Sequence, residues 1–501
     1  MVTLISTNWT RGVLVLMRFL AQFLLVFLFL TTLAIATPRL AFAQDDAGKK
    51  SDTPVAGDAA SDQSTSDQST DDTPLTIFPH SETSRYWISG QANVVFQWHP
   101  TFPAKYSGPN SLSPGAQSAT THILTLYTGY QVTKTTEVLV DLEDATGGGI
   151  GNALGLAGFT DLDAVRTVQG VPLSTEPYLA RFIVRQIIPL SDERITAERG
   201  PMGLATSLPA RRVELRVGKF SLADFFDLNS GGSDSHLQFL NWTVDNNGVY
   251  DYAANTRGYT DAAMIEYDDH SWTVRFAEAM MPKVANGIHL DADIARARAE
   301  NLEGEWRRNF VPGRAGVVRV LTFLNHANMG NYREAIDEFL EGETGTRPSI
   351  VATRRQGRHK YGFGLNFEQD LASQFGIFAR LGWSDGRNES FAYTEVDRSA
   401  EGGAYFKGAS WHRRYDRAGA VFTINGISGD HARYLALGGL GFLLGDGGLS
   451  YGGEKIFETY YTAHVWRGIF ASFDLQHIND PGYNEARGPV LVPGLRAHID
   501  F

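Results

Sequence analysis

Hydrophobic and polar residues alternate along many short stretches of this chain, from about Ser84 to the last residue. The final stretch is the clearest: Leu495 and Phe501 fall on one face, and Arg496 falls on the other. Side chains of a β-strand point alternately to its two faces, so the pattern predicts a strand with one apolar and one charged face. The same alternation recurs at residues 88–99, 137–143, 213–217, 272–276, 377–383 and 473–476.

Alternation is found both in soluble β-sandwiches and in transmembrane β-barrels, and two features favour the barrel. The apolar faces end in aromatic residues, as membrane interfaces require; these are Trp98, Trp272, Trp383, Tyr460 and Tyr461. No stretch reads as a second, separate core. We therefore predict an all-β fold, a single transmembrane antiparallel β-barrel over residues 84–501. In such a barrel the aromatic residue Phe501 is expected to serve as an assembly signal.

Composition agrees with a membrane β-barrel. The 501 residues include 52 glycines, 12% aromatic residues and only 20% charged residues. Mean hydropathy is −0.20, as expected where lumen-facing positions are polar. The net charge of −12 argues against a nucleic-acid partner.

The amino terminus reads as an export signal followed by a linker. In residues 1–43 two arginines precede an apolar run and a small-residue motif follows it, which predicts a signal peptide cleaved between Ala43 and Gln44. An uncleaved helical anchor is the alternative, because the apolar run is long enough to span a bilayer. Residues 44–83 are rich in Asp, Ser and Thr, and we predict a disordered acidic periplasmic leader.

Two stretches depart from the strand pattern. Residues 331–340 place apolar side chains at helical spacing, and residues 289–300 are rich in alanine and arginine. Both are expected to form short helices in loops. The chain has no cysteine and no HExxH motif, so we expect neither an enzyme nor a metal or cofactor site.

Several strings resemble one known family. They include RVGKFSLADFFDLNS at 216–230, YDYAANTRGYT at 250–260, KYGFGLNFEQDL at 360–371 and NDPGYNEARGPVLVPGLRAHIDF at 479–501. In this order, the chain resembles the carbohydrate-selective porins of the OprB family over nearly all of residues 84–501. The resemblance implies a barrel of sixteen strands in the outer membrane of a Gram-negative-type (diderm) bacterium. It also implies passive diffusion of monosaccharides or other small sugars through a charged, aromatic-lined lumen, with outer-membrane lipids and the barrel assembly machinery as partners.

Charged residues on the predicted lumen face are the candidate pore-lining and sugar-contacting groups. Arginine offers a planar set of N–H donors to sugar hydroxyls, and carboxylates accept from them. The candidates are Arg181, Arg185, Arg216, Arg275, Arg380, Arg496, Glu214, Glu458 and Asp474. The alternative is that these charges are merely hydrated or paired along the wall. Because they add no lipid-facing area, alanine at Arg216, Arg275 and Arg380 is expected to leave the barrel folded.

Two other functions are compatible with the same pattern. One is a less selective channel for other small polar or anionic solutes. The other is an outer-membrane enzyme or adhesin built on the same barrel, with a catalytic pair assembled from distant residues. The sequence fits a monomer and a homo-oligomer equally well.

Overall fold

The computed structural model describes residues 75–165, 173, 176–343 and 345–501. The predicted signal peptide and residues 44–74 of the predicted leader lie outside the described residues. The strands are β1 (Tyr86–His99), β2 (Gln117–Gln131), β3 (Thr136–Thr146), β4 (Tyr178–Pro189), β5 (Arg194–Thr196), β6 (Ser207–Pro209), β7 (Arg212–Phe220), β8 (Thr260–Asp268), β9 (Trp272–Met280), β10 (Arg298–Arg307), β11 (Gly316–Met329), β12 (Arg355–Ala372), β13 (Phe375–Ser384), β14 (Arg398–Lys407), β15 (Arg417–Gly426), β16 (Glu454–Trp466), β17 (Ile469–Asn479) and β18 (Val490–Asp500).

Sixteen of these strands form one closed antiparallel barrel, which confirms the predicted fold class. Each strand pairs with its neighbours in the chain, except that β7 pairs with β4. The intervening strands β5 and β6 form a separate two-stranded hairpin.

The barrel closes where β1 pairs with β18, and the last residue contributes to that seam. The N–H of Phe501 donates to the carbonyl of Gly90 at 2.8 Å, and its own carbonyl accepts from the N–H of Gly90 at 2.6 Å. A Cβ built on Gly90 would lie only 2.6 Å from the Phe501 ring. The ring therefore covers a glycine of the first strand.

The two faces of each barrel strand differ as the alternation predicts. Leu381 and Leu495 point outward and are 51% and 50% exposed. Their neighbours Arg380 and Arg496 point inward and are 1% and 3% exposed. A slip of one residue would exchange the faces, so the period-2 pattern fixes the inside and the outside of each strand.

One aromatic residue was assigned to the wrong face. Tyr461 is exposed on the outside, but Tyr460 is only 3% exposed and packs edge-on against Phe239, with ring centroids 4.7 Å apart. Adjacent residues on a strand point to opposite faces, so the two tyrosines cannot both belong to an outer aromatic belt.

Helices are short and lie between strands. They are α1 (Trp242–Asp245), α2 (Tyr332–Leu340) and α3 (Gly429–Ala436), with 3₁₀ turns at Ile150–Asn152, Leu222–Asp224, Gly408–Trp411 and Pro481–Tyr483. Helix α2 confirms the prediction for residues 331–340; it begins after Asn331, whose side chain accepts from the N–H of Glu334. Among the described residues, no helix combines the length and the apolar character needed to cross a bilayer.

The prediction of a short helix over residues 289–300 was wrong. The carbonyl of Asp293 accepts hydrogen bonds from the N–H groups of Arg296 and Ala297, which closes a single turn. From Arg298 onward the chain pairs with both β9 and β11. Pairing along two edges outweighs the helix propensity of the local alanines.

The two ends of the barrel differ in the length of their connections. Turns at 132–135, 269–271, 373–374 and 467–468 are short, whereas 100–116, 221–259, 281–297, 330–354 and 427–453 are longer. In outer-membrane barrels the short turns face the periplasm and the long loops face outward. The amino end of β1 and the carboxyl end of β18 therefore lie at the periplasmic end.

Candidate functional site

Residues 221–259, which we call the inner segment, fold from the outer end into the lumen. Arg380 on the wall is their main attachment. Its guanidinium pairs with Asp227 of the inner segment at 3.0 Å and with Glu401 of β14 at 2.8 Å. It also donates to the carbonyls of Val244 and Asp245 at 2.6 and 3.1 Å. One buried arginine thus joins two distant parts of the inner segment to the wall.

Wall carboxylates hold the inner segment at further points. Glu458 accepts from the backbone N–H of Leu240 at 2.6 Å and of Asn241 at 3.3 Å. Glu303 accepts from the N–H of Asp227 at 2.7 Å. These bonds satisfy N–H groups that have no strand partner, which a buried loop requires.

A second stretch, residues 147–165, also lies inside the barrel, and we call it the second segment. Glu454 of β16 accepts from the N–H groups of Ala157 at 3.0 Å and Gly158 at 2.8 Å. The indole N–H of Trp242 donates to the carbonyl of Asp161 at 2.7 Å. The two segments are therefore bonded to the wall and to each other.

A continuous chain of ion pairs crosses the inner wall from β3 to β12. Its members, in order, are Glu137, Arg185, Glu214, Arg216, Glu266, Arg275, Glu305, Arg319 and Glu368. Three carboxylates of this region, Glu214, Glu266 and Asp268, come within 4.8 Å of one another. Each of the three pairs with at least one arginine, so arginine supplies the charge that a bound cation would otherwise provide.

An open space of about 450 Å³ remains between the two segments and the wall, and we call it the central cavity. Ring-bearing residues contribute much of its lining, namely Tyr127, Tyr178, Trp242, Tyr252, Tyr259 and Tyr393. Charged residues also line it, including Glu143, Asp163, Arg181, Asp224, Asp234, Asp245 and Arg257. The cavity thus offers apolar ring surfaces beside hydrogen-bonding groups.

All nine sequence-predicted site residues lie on barrel strands with their side chains toward the interior. One of the nine, Arg181, lines the central cavity. The side chains of Arg185, Arg216 and Arg275 are buried in the chain of ion pairs. The predicted residues at 214, 458, 474 and 496 are buried on the wall, and Arg496 donates to the carbonyl of Gln238 at 2.9 Å.

An aromatic-lined lumen follows from the family resemblance, but the individual rings of the cavity were not identified from the sequence. Trp242 and Tyr393 stack in parallel with centroids 5.4 Å apart, and Tyr252 meets Tyr393 at 4.8 Å. These residues come from loops, where no alternating pattern marks an inward face. Of these three residues only Tyr252 lies in the aromatic-rich string at 250–260, which was a local signal for that residue alone.

A second space, of about 740 Å³, lies near the periplasmic end, and we call it the periplasmic cavity. Its lining includes Tyr405, Tyr460 and Arg417. Arg417 pairs at 2.9 Å with Asp234, which lines the central cavity. This ion pair therefore lies between the two spaces.

The charge of the central cavity should depend on pH. Burial raises the pKa of Asp163 to about 8, with Asp161 adding to the rise, and burial raises the pKa of Asp245 to about 7. Both carboxyls are neutral below these values and negative above them. We expect cation preference to increase between about pH 5 and about pH 9, as read from reversal potentials in a salt gradient. The double variant Asp163→Asn, Asp245→Asn should flatten the curve, whereas a flat curve in the unmodified protein would contradict the assignment.

The closed barrel, its apolar outer face and the loops folded into its lumen define an outer-membrane porin. The model of the family described as "Carbohydrate-selective porin, OprB family" matches residues 93–501, and the chain belongs to that family. The protein is therefore an outer-membrane porin for carbohydrates, of the type found in Gram-negative bacteria. The family is one of transport channels.

Solved structures with the same fold include the high-pH structure of Pseudomonas putida OprB. It matches with a TM-score of 0.59 and 15% identity over 83% of this chain and 94% of its own. Its low-pH structure matches with a TM-score of 0.45 and 12% identity, over 83% of this chain and 92% of its own. The outer membrane channel DcaP of Acinetobacter baumannii matches with a TM-score of 0.42 and 10% identity, over 83% of this chain and 97% of its own. No curated protein sequence matches the chain.

Proposed function

We propose that monosaccharides or other small sugars diffuse passively through the central cavity. The observation that carries this proposal is the lining itself, in which ring surfaces stand beside charged donors and acceptors. A sugar presents hydroxyl groups at its edges and C–H groups on its faces, so both kinds of surface serve it. Each contact must remain weak, because a channel has to release what it admits.

Arg181 is the wall arginine that we propose contacts the sugar. Its Nε and Nη2 donate to Asp224 at 2.8 and 2.6 Å, and its Nη1 donates to Asp141 at 3.3 Å. Its guanidinium also lies 5.4 Å from the ring centre of Tyr259. The group is therefore held in one orientation beside a ring, which suits recognition of a hydroxyl next to an apolar sugar face.

For the other eight predicted residues we propose a supporting role. They hold the inner segment, as Arg380, Arg496 and Glu458 do, or belong to the charged network of the wall. By fixing the two segments they set the shape of the cavity. The ion pair of Asp234 and Arg417 lies between this cavity and the periplasmic cavity.

The variant Arg181→Gln should weaken sugar binding in the cavity while leaving the barrel assembled. A charge-assisted hydrogen bond contributes about 1.5 kcal/mol or more, so the sugar concentration that half-blocks the ion current should rise about tenfold. The measurement is sugar-dependent current noise in planar bilayers. The control is Arg333→Gln on helix α2, an exposed arginine paired with Asp430 and absent from the cavity lining.

Liposome swelling with sugars, amino acids and organic acids of matched size tests the solute class. Faster swelling with sugars supports the proposal, and the Arg181→Gln variant should lose that advantage. Equal rates for all three classes would instead support the less selective channel. We propose no enzymatic activity for this protein. Hydrolysis by the purified barrel, abolished by replacing a serine or a histidine, would contradict this proposal.

We also propose that the chain is exported with cleavage between Ala43 and Gln44, releasing a mature protein that begins with the acidic leader. The small-residue motif before Gln44 supports this site. Amino-terminal sequencing of protein from outer-membrane fractions should read Gln44 first. Retention of Met1 would favour the uncleaved anchor.

A further inference from the structure

The connection between β4 and β7 lies at the periplasmic end, yet it does not form a short turn. Residues 190–211 contain the β5–β6 hairpin, in which Ile195 pairs with Leu208. Its tip is closed by two hydrogen bonds between Gly200 and Gly203, at 2.9 and 3.2 Å. The two residues of the tip, Pro201 and Met202, line the central cavity. The hairpin therefore reaches into the barrel from the end opposite to the inner segment.

The tip is fitted closely to the barrel wall. Leu204 is 1% exposed, and its Cδ1 would lie 2.9 Å from a Cβ built on Gly129 of β2. Its N–H donates to Glu137 of β3 at 3.1 Å. A Cβ built on Gly203 would lie 2.2 Å from Nη1 of Arg185. Glycine at these two positions lets the tip approach the wall so closely.

The hairpin is also attached beside its tip and along its strands. Arg199 donates to the carbonyls of Ser84 and Tyr86, at 2.6 and 2.9 Å, next to the start of β1. Leu208 packs in a small apolar cluster with Ile187 of β4. Contacts at the tip, beside it and along the strands indicate an element held in place against the wall of the barrel.

We propose that this hairpin forms a constriction of the channel on the side opposite to the inner segment, and that the side chain of Met202 sets the size of solute that passes the periplasmic side of the central cavity. The proposal rests on the proposed passage of small sugars through that cavity. Met202 is partly buried against the internal apolar cluster, and its remaining surface faces the open space. A methionine side chain is unbranched and adaptable, so it narrows the path without binding a polar solute.

Cysteine chemistry tests the position of Met202 directly, because the chain contains no cysteine. In the variant Met202→Cys, attachment of a charged methanethiosulfonate reagent should lower the single-channel conductance by about half, since the added group stands in the path. The matched control is Ile195→Cys on the same hairpin, where the side chain is 42% exposed and is absent from the lining of the central cavity. Modification at this control position should leave the conductance unchanged. Equal conductance before and after modification at Met202→Cys would overturn the proposal.

Size selection is tested with Met202→Gly and Met202→Trp. We expect Met202→Gly to admit di- and trisaccharides and neutral polyethylene glycols that the unmodified protein excludes, and Met202→Trp to exclude more. Heat-modifiable gel mobility confirms that each variant is folded. Unchanged exclusion limits in both folded variants would overturn the proposal.

The two proposals fail in distinguishable ways. Polymer exclusion and salt conductance report the width of the path without any sugar. If Met202 variants change these values while sugars show no advantage over other solutes, the sugar proposal fails and the constriction stands. If sugars are preferred but the Met202 variants change nothing, the constriction fails alone.

Discussion

Replacing Arg380 with alanine should release the inner segment from the wall and raise the single-channel conductance. The substitution leaves Asp227 and Glu401 without their shared counter-charge, although each side chain is at most 1% exposed. Removing one partner of a buried ion pair costs about 3–5 kcal/mol, because the remaining charge stays buried. The carbonyls of Val244 and Asp245 lose a donor at the same time. We expect a larger and noisier conductance and a lower temperature of barrel unfolding in detergent.

A combined variant separates the charge from the attachment. In Arg380→Met with Asp227→Asn and Glu401→Gln, no uncompensated charge remains, so the unfolding temperature should recover in part. The conductance should stay high, because the donors to the inner segment are still missing. If Arg380→Ala leaves both conductance and stability unchanged, the inner segment does not depend on this residue.

Deleting Phe501 should lower the amount of protein in the outer membrane far more than it alters the channel. The deletion removes both backbone hydrogen bonds to Gly90 and the bond from the Ser89 hydroxyl, which is 2.8 Å long. It also removes the ring that covers Gly90, so the backbone of β1 becomes more exposed where β1 pairs with β18. The loss of ring burial alone contributes a few kcal/mol at most. We expect low levels in membrane fractions, with ordinary conductance among the molecules that do assemble.

Two substitutions separate the contribution of the Phe501 ring from that of its backbone hydrogen bonds. Phe501→Tyr keeps both and should assemble as well as the unmodified protein. Phe501→Ala keeps the backbone bonds and should give intermediate levels. If the deletion assembles at normal levels, the terminal residue is not an assembly signal.

The sequence was sufficient to predict the two faces of the barrel strands, but not the path of the segments that fold into the lumen. Alternation along β13 placed Leu381 outside and Arg380 inside, because a strand has only two faces. The same pattern placed Arg181 inside, with nothing local to separate it from Arg380. One lines the central cavity and the other is buried, and this difference depends on the path of the inner segment.

The expectation that alanine at Arg216, Arg275 and Arg380 leaves the barrel folded needs revision for the same reason, because the inner segment and the neighbouring strands bury these side chains. It assumed an inward face that meets water. Arg275 instead pairs with Glu266 at 2.7 Å and with buried Glu303 on the next strand. Those partners lie on β8 and β10, and their register relative to β9 is not readable from any one strand. Glu458 shows the same limit, since its partners are backbone groups 217 and 218 positions away.

The central cavity is bounded by the inner segment from the outer end and by the β5–β6 hairpin from the periplasmic end, so its two boundaries belong to connections on opposite sides of the membrane. Surface loops tolerate substitutions and insertions more readily than the elements that they connect. Pro201 and Met202 belong to a connection that begins and ends at the periplasmic side, between β4 and β7. A lineage can therefore alter its exposed surface while this part of the passage is inherited unchanged.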